Sequence, residues 1–510
     1  MQLYASLVAS LAIFSSVFAA PTPTVVTDAV APRVDASEKL VFCHFMMGVV
    51  SNRESADDYD TDMKNAKDVG IDAFALNIGT DNYTDTQLGY AYDSAARNDM
   101  KVFISFDFNW WHKDQGADVG AIIAKYAGKD AQLKVGDAVF ASSFAGDGVD
   151  VQAIRDAAGV EIFWAPNFRA DTDVSKVDGL LNWIGWPNNG DNKAPDSTHV
   201  SVAEGDASYR TALGDKPLIA PLSPWFFTHF GNEVTYSKNW VFPSDLLIYQ
   251  RWLEILESKP QYVEMITWND YGEGHYMAPL SSSHTDDGGS KWVNDMPHNG
   301  WLELSKPFIA AYKAGATDPS SYITEDKLIY WYRTTPKALD CDATDTTMED
   351  ADNSTGNFFK GRPNGYDTMA DEVFVVSLLT APGTTGVNTG GTVHYFDAPA
   401  GASAFSVPFN VGPQSFILLR DNVPVLDATS LKEIKNECPC GIYNFNAYVG
   451  TVPESPIDAL DDLGLAAFEA GLKVQCEAKP TLGITIPVEA VITTTLAAGT
   501  AAPTDPPIRR

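Results

Sequence analysis

Positive charge is scarce in this sequence. The 510-residue chain has 35 Lys and Arg against 67 Asp and Glu, a formal net charge of −32. A chain this acidic repels phosphate backbones and anionic lipid headgroups, which argues against nucleic acid and membrane surfaces as partners. Beyond the first twenty residues no apolar run is long enough to span a bilayer. G-x-G-x-x-G, a Walker loop and H-E-x-x-H are all absent, so dinucleotide, nucleotide and zincin chemistry have no motif to stand on. Cysteine is sparse, with five residues. Cys438-Pro439-Cys440 has the wrong spacing for zinc and no nearby His. No cofactor and no metal is expected, and the chain is read as a monomer.

What is present suits a folded protein with a neutral ligand. The chain is 45% hydrophobic and 11% aromatic, which rules out disorder as a whole. Its 12 Trp either pack cores or stack on sugar rings, whose C–H faces match an indole. Met1 to Ala20 is an apolar segment ending in Val17-Phe18-Ala19-Ala20, the pattern of a cleaved export signal, although no Lys or Arg precedes it. Secretion to the extracellular space or cell wall is therefore expected. Cys43 lies in an apolar run and reads as a buried thiol or one end of a bridge. Cys341, Cys438, Cys440 and Cys476 allow two bridges in three pairings. Asn82-Tyr83-Thr84 and Asn353-Ser354-Thr355 are glycosylation sequons.

Residues 21–37 read as a linker or propeptide. Eight short apolar runs follow: Leu40–Gly48, Ala73–Gly79, Val102–Phe108, Ala138–Gly146, Glu161–Phe168, Leu180–Pro187, Leu218–Phe227 and Tyr262–Trp268. Amphipathic stretches such as Ala56–Val69, Thr86–Asn98, Gly120–Ala127 and Ser244–Glu257 separate them. Strands apolar throughout and alternating with helices indicate a parallel sheet buried on both faces. Eight such units predict an α/β fold, a (β/α)8 TIM barrel over 38–317, with a doubly wound open sheet as runner-up. From 318 to 486 the runs Leu328–Arg333, Glu372–Leu378, Gly391–Asp397, Ala404–Phe409 and Ser415–Leu419 are short, β-forming and separated by turn residues. They predict an antiparallel β-sandwich, with a helix possible over 456–472. Residues 487–510 read as a Thr/Ala/Pro-rich flexible tail.

In such a barrel, chemistry sits at the C-terminal strand ends. Those ends combine aromatics with acids and amides, the pairing that sugars require. Trp268-Asn269-Asp270-Tyr271-Gly272-Glu273-Gly274-His275 is the densest. Glycoside hydrolysis needs two carboxyl groups, and Asp270 and Glu273 are the first candidates. Asp107, followed by Asn109, Trp110 and Trp111, is next. Each acid also has a structural reading, as a cap or a solvated loop residue. Trp110, Trp111, Trp225 and Tyr271 are expected to line subsites, with Trp268 beside them and Asn77 and Asn167 as hydroxyl partners. His44 and His275 bind sugar, orient an acid, or simply pack in the core or stay solvated. Asp72 begins the second strand, at the opposite end, where a structural cap is expected.

Lys39–Gly48, Gly70–Asn77, Ser105-Phe106-Asp107 and Trp268–Glu273 resemble the fungal α-1,3-glucanases, or mutanases, of glycoside hydrolase family 71, over about residues 39–480. The resemblance implies endo-type hydrolysis of cell-wall α-1,3-glucan with inversion. It implies Asp270 and Glu273 as the carboxylate pair, and a role for the Asp matching Asp72, against the geometric reading. Glu273 is taken as acid and Asp270 as base. An inverting pair stands about 6.5–9.5 Å apart, and residues three apart that sit closer would require a third acid such as Asp107. The other readings are a glucan-binding, lectin-like barrel without catalysis and a glycosidase of another linkage.

Overall fold

A computed structural model describes residues 38–189, 199–231, 238–345 and 361–456. The expected leader, linker, C-terminal helix and tail lie outside these residues, apart from residue 456.

The strands of the first half are β1 (Leu40–Met46), β2 (Ala73–Ile78), β3 (Lys101–Asp107), β4 (Lys134–Val135), β5 (Ala138–Phe144), β6 (Ile162–Trp164), β7 (Leu180–Leu181), β8 (Leu218–Leu222), β9 (Phe227–Phe230), β10 (Lys238–Val241) and β11 (Tyr262–Met265). All eight apolar runs contain a strand, but most strands stop short of the run's end. The remainder of each run is the loop that forms the rim. β1, β2, β3, β5, β6, β7, β8 and β11 form a curled, parallel-rich sheet. Its order is β6-β5-β3-β2-β1-β11-β8-β7, so sequential strands are neighbours and β11, the last, lies beside β1. A doubly wound sheet instead reverses its order at a switch point. Two backbone bonds link the ends of this order: Asp178 N–H donates to the Trp164 carbonyl at 2.8 Å, and Leu181 N–H to the Pro166 carbonyl at 2.9 Å. β4 is an antiparallel addition to β5.

Period-two alternation decides which residues face inward. Val41, Cys43, Phe74, Leu76, Val102, Ile104, Val263 and Met265 join the core beneath the helices. Phe42, Ala75, Phe103, Phe140 and Tyr262 form a separate cluster inside the curl. Continuing the inward parity along each strand gives His44, Asn77, Ser105, Asp107, Ser142 and Glu264, all buried. The interior is therefore apolar toward the strand starts and polar toward the strand ends.

The outer helices include α1 (Asp60–Val69), α2 (Thr84–Arg97), α3 (Gly116–Tyr126), α4 (Val151–Ala158), α5 (Val202–Leu213), α6 (Leu247–Ser258), the short α7 (Ser290–Val293) and α8 (Gly300–Lys313). The α5 start is set by a capping box, with Ser201 and Glu204 each bonding the other's backbone N–H.

The second half holds β12 (Lys327–Arg333), β13 (Glu372–Leu379), β14 (Gly383–Thr389), β15 (Thr392–Ala398), β16 (Gly401–Pro408), β17 (Gln414–Arg420), β18 (Val423–Thr429) and β19 (Ala447–Val452). They form two antiparallel four-stranded sheets, β16-β13-β12-β19 and β15-β14-β17-β18. The sequence runs missed β14, whose Gly and Thr residues weaken the apolar pattern, and β18, an edge strand with little buried surface. They also missed β19, whose Ala447–Val452 follows a stretch without alternation. Cys341 and Cys438 form a disulfide, Cys440 is also disulfide-bonded, and Cys43 is a buried free thiol. Among the described residues no helix is long and apolar enough to cross a membrane.

Candidate active site

The C-terminal ends of β1, β2, β3 and β11 gather the acidic residues. After β11 the chain runs back over the sheet and is pinned there. Trp268 N–H donates to the His44 carbonyl at 2.7 Å. The Asn269 amide accepts from Met46 N–H at 2.7 Å and donates to the Met46 carbonyl at 3.1 Å, extending the β1 edge by side chain. Asp270 N–H donates to Thr267 Oγ1 at 2.9 Å, and Glu273 N–H to Asp270 Oδ1 at 3.1 Å. The loop's glycines make room for the hairpin of β9 and β10. A Cβ on Gly272 would stand 2.5 Å from the Phe230 ring, and Gly274 is left-handed at φ +69° with the Phe227 carbonyl 2.9 Å from its would-be Cβ.

Three groups converge there. One carboxylate oxygen each of Asp270 and Glu273 and a ring nitrogen of His275 lie within 4.8 Å of one another. His275 is wholly buried against the Trp186 and Phe226 rings, at centroid distances of 5.3 and 5.6 Å. Burial lowers it to about pH 4 against the opposing field of Asp270. It is then neutral at neutral pH, and its two hydrogen-bond partners set its tautomer. Thr267 Oγ1 donates to Nδ1 at 3.1 Å, and Nε2–H donates to Glu273 Oε2 at 2.9 Å. The other Glu273 oxygen receives an ion pair from Lys238, the first residue of β10. Burial lowers the Lys238 ammonium, and the carboxylates of Asp270, Asp287 and Asp107 oppose that shift. The Asp270, Glu273 and His275 donor atoms could also hold a cation, but the Lys238 charge already faces them.

Asp107 ends β3 on the inward face. Its carboxyl accepts from Asn109 N–H at 2.9 Å, and burial holds it above the usual carboxylate range, against His44 and with Asp270 adding to the rise. Asp287 accepts from Gly289 N–H at 2.9 Å and is pushed up to about 7 by burial, with Asp270 and Asp286 adding to it.

The remaining expected residues divide. Trp110 is 56% exposed, the sole aromatic among the large exposed apolar side chains of the described residues, and its ring lies on Gly79, where a Cβ would come within 3.2 Å. Asn77 is buried at the inward end of β2. Trp111, Trp225, Trp268 and Tyr271 are buried, with their rings packed into the core and not presented at the surface as expected. Trp111 donates to the Ile78 carbonyl, Trp225 to the Phe445 carbonyl, Trp268 to Asp62 Oδ1, and Tyr271 stacks on His284 at 3.9 Å. Asn167 ties the backbone, donating to the Leu181 carbonyl at 3.0 Å. His44 is bonded to Glu264 inside the curl. Asp72 sits at the far end, accepting from Val41 N–H at 2.8 Å and pairing with Lys313 at 2.6 Å, so the structure does not bring it to the other acids. Lys238, Glu264 and Asp287 were missed by sequence reasoning.

The family model of glycosyl hydrolase family 71 matches residues 37–461. The chain belongs to this family. It is 37% identical over 457 residues to a mutanase of Penicillium rubens, covering 88% of this chain and 96% of that protein. It is 34% identical over 444 residues to a glucan endo-1,3-alpha-glucosidase of Schizosaccharomyces pombe, covering 82% and 95%. Among solved structures, the GH99 endo-alpha-mannosidase of Bacteroides thetaiotaomicron aligns with a TM-score of 0.40 at 11% identity, covering 55% of this chain and 99% of that one. This glycosyl hydrolase therefore carries its densest acidic cluster at the strand ends of the curled sheet.

Proposed function

We propose that this glycosyl hydrolase cleaves the α-1,3-glucosidic bonds of a fungal cell-wall glucan, within the polymer and outside the cell. The names of its family-71 relatives support that substrate. We read the curled sheet as a (β/α)8 barrel over 38–317 followed by a β-sandwich over 318–486. The neighbouring of β11 and β1 and the bonds between β6 and β7 support this reading.

The observation that carries the chemistry is the grip on Glu273. An ammonium on one oxygen and an imidazole N–H on the other stabilise its carboxylate form. A group held ionised suits activation of water, not storage of a proton, which reverses the role expected from sequence. Asp270 lies within 4.8 Å of Glu273 by nearest oxygens, too close for water and a glycosidic oxygen to stand between them at the inverting separation of about 6.5–9.5 Å. Asp107 faces the cluster from β3, and its burial favours the protonated form. It is the better general acid. Asp270 then holds the loop through Glu273 N–H and adds to the field on Asp107.

The test is reducing-sugar release from α-1,3-glucan, β-1,3-glucan and starch by wild type, Glu273→Gln and Asp107→Asn, with α-glucosyl fluoride as a substrate that needs no acid. Activity on α-1,3-glucan alone is expected, lost in both variants, with Asp107→Asn still cleaving the fluoride. Activity on another glucan instead refutes the substrate. Full activity of Asp107→Asn on the polymer refutes the acid.

A further inference from the structure

The second half of the chain reaches the acidic cluster through residues 443–447, which lead into β19. Asn446 lies in this segment and is wholly buried. Its partners fix the orientation of its amide. Oδ1 accepts from Ala447 N–H at 3.0 Å, and Nδ2 donates to the Trp292 carbonyl at 3.0 Å. The second Nδ2 hydrogen goes to the Tyr276 hydroxyl at 3.1 Å. That hydroxyl donates its own hydrogen to the Met296 carbonyl, so toward Asn446 it accepts. Asn446 Oδ1 also lies 3.3 Å from where a Cβ on Gly274 would stand. Gly274 and Tyr276 are the chain neighbours of His275. One buried amide of the second half therefore touches the residues on both sides of the imidazole that donates to Glu273.

Other contacts join the same two elements. The Tyr276 ring stacks on His298 at 3.8 Å, and the His298 ring nitrogens stand 3.0 Å from the Tyr276 carbonyl and 2.9 Å from the Ala447 carbonyl. The β9–β10 hairpin, which brings Lys238, is held by the second half as well. Trp225, just before β9, donates to the Phe445 carbonyl at 2.9 Å, and His229 Nε2 of β9 lies 2.6 Å from Asp345 Oδ2. Both groups that grip Glu273, the His275 imidazole and the Lys238 ammonium, thus stand on elements bonded to the second half. A module free to move on a linker would not share buried hydrogen bonds one residue away from the site.

We infer that Asn446 is a positioning residue for the hydrolysis, holding His275 against Glu273 from the second half, so that the two halves form one catalytic unit. The inference rests on the reading of Glu273 as the base that activates water. The titratable and charged groups around the Glu273 carboxylate are His275 and Asp270 of its own loop and Lys238 of β10. Of these, His275 is the one that Asn446 flanks on both sides.

Asn446→Leu tests it, keeping the approximate side-chain shape and removing the amide. With Gly274 and Tyr276 released, the imidazole N–H no longer stays on Glu273, and the carboxylate form loses a donor. A base that loses a donor takes up its proton at higher pH, so the acid limb of the kcat/KM profile moves upward. The expected result is a kcat on α-1,3-glucan about tenfold lower, KM within about threefold, and an acid limb raised by about half a unit or more. Hydrolysis of α-glucosyl fluoride, which needs no acid but does need activated water, falls by the same factor. An acid limb that stays in place in the folded variant overturns the inference and leaves Asn446 a packing residue, whatever happens to Tm. A loss confined to the polymer overturns it too, because it places the effect on the acid or on the subsites. Glu273→Gln is the separate control: if it retains activity, the reading beneath fails whatever Asn446→Leu does. Should Asn446→Leu not fold, Tyr276→Phe removes only the hydroxyl that the amide reaches and leaves the ring on His298. A smaller loss on both substrates with the acid limb raised supports the inference, and unchanged values overturn it.

Discussion

Lys238→Met is the sharpest test of the cluster, because one charge is shared among several acids. The side chains of Lys238 and Glu273 are each 17% exposed and in direct contact. Opposite charges about 4 Å apart attract by about 4 kcal/mol at an effective dielectric near 20, equivalent to about three pH units in a titration. Partial solvent access reduces this, and the His275 donor remains on the other Glu273 oxygen. The net expectation is a shift of about 1–2 pH units. The sign follows from the charge. An ammonium favours the ionised base, so its loss lets Glu273 take up a proton at higher pH and moves the acid limb of the kcat/KM profile upward. Lys238 also lowers Asp107, from farther away, so the alkaline limb moves the same way by less. The bell therefore translates upward and narrows. The assay is initial-rate reducing-sugar release across pH 3–9 in buffers of constant ionic strength, with thermal unfolding as the check on folding. An acid limb that stays in place while activity survives would refute the argument that Lys238 holds Glu273 as a carboxylate.

Two further substitutions separate platform from scaffold. Trp110→Ala removes an exposed indole that a sugar ring would cover, about 1–2 kcal/mol of contact, so KM for the polymer should rise about tenfold with kcat nearly unchanged; equal KM values would show that Trp110 is not a subsite. Asp72→Asn breaks a partly exposed pair with Lys313 worth about 1 kcal/mol, so Tm should fall by about 2–4 °C with kcat/KM within twofold; a hundredfold loss of kcat in a folded variant would restore a catalytic role to Asp72 despite its position.

Much of this architecture is legible in sequence because burial on both faces leaves a strong signal. Leu40–Gly48 and Val102–Phe108 are apolar at nearly every position, and they become β1 and β3 with both parities packed. The rim is also legible, since Asp107 and the Asp270–His275 loop stand where those runs end. What fails is the reading of aromatics. Trp110 and Trp111 are adjacent and chemically identical, yet one lies on Gly79 in solvent and the other donates to the Ile78 carbonyl from the core. Adjacent side chains on a turn leave in different directions, and composition cannot choose between them.

The groups missed share a different cause. Lys238 belongs to a hairpin inserted between the β8 and β11 strands of the curled sheet, and it reaches Glu273 only because β9 and β10 fold back over the rim. Reading strand ends alone passes over any residue delivered by an insertion. Glu264 was hidden by its surroundings. In Tyr262-Val263-Glu264-Met265 a single acid interrupts an apolar run, against the apolar pattern of a buried strand. That mismatch is itself a signal, because a carboxyl is kept at 0% exposure only with a partner. His44, the one nitrogen-bearing side chain in Leu40–Met46, shows the same mismatch two strand positions beyond Phe42, the residue that pairs in register with Glu264. Two local inconsistencies on neighbouring parallel strands, both on the inward parity and offset by one side-chain repeat, account for each other. Inward-facing polar residues late in apolar strands are therefore a more reliable guide to this site than its aromatics.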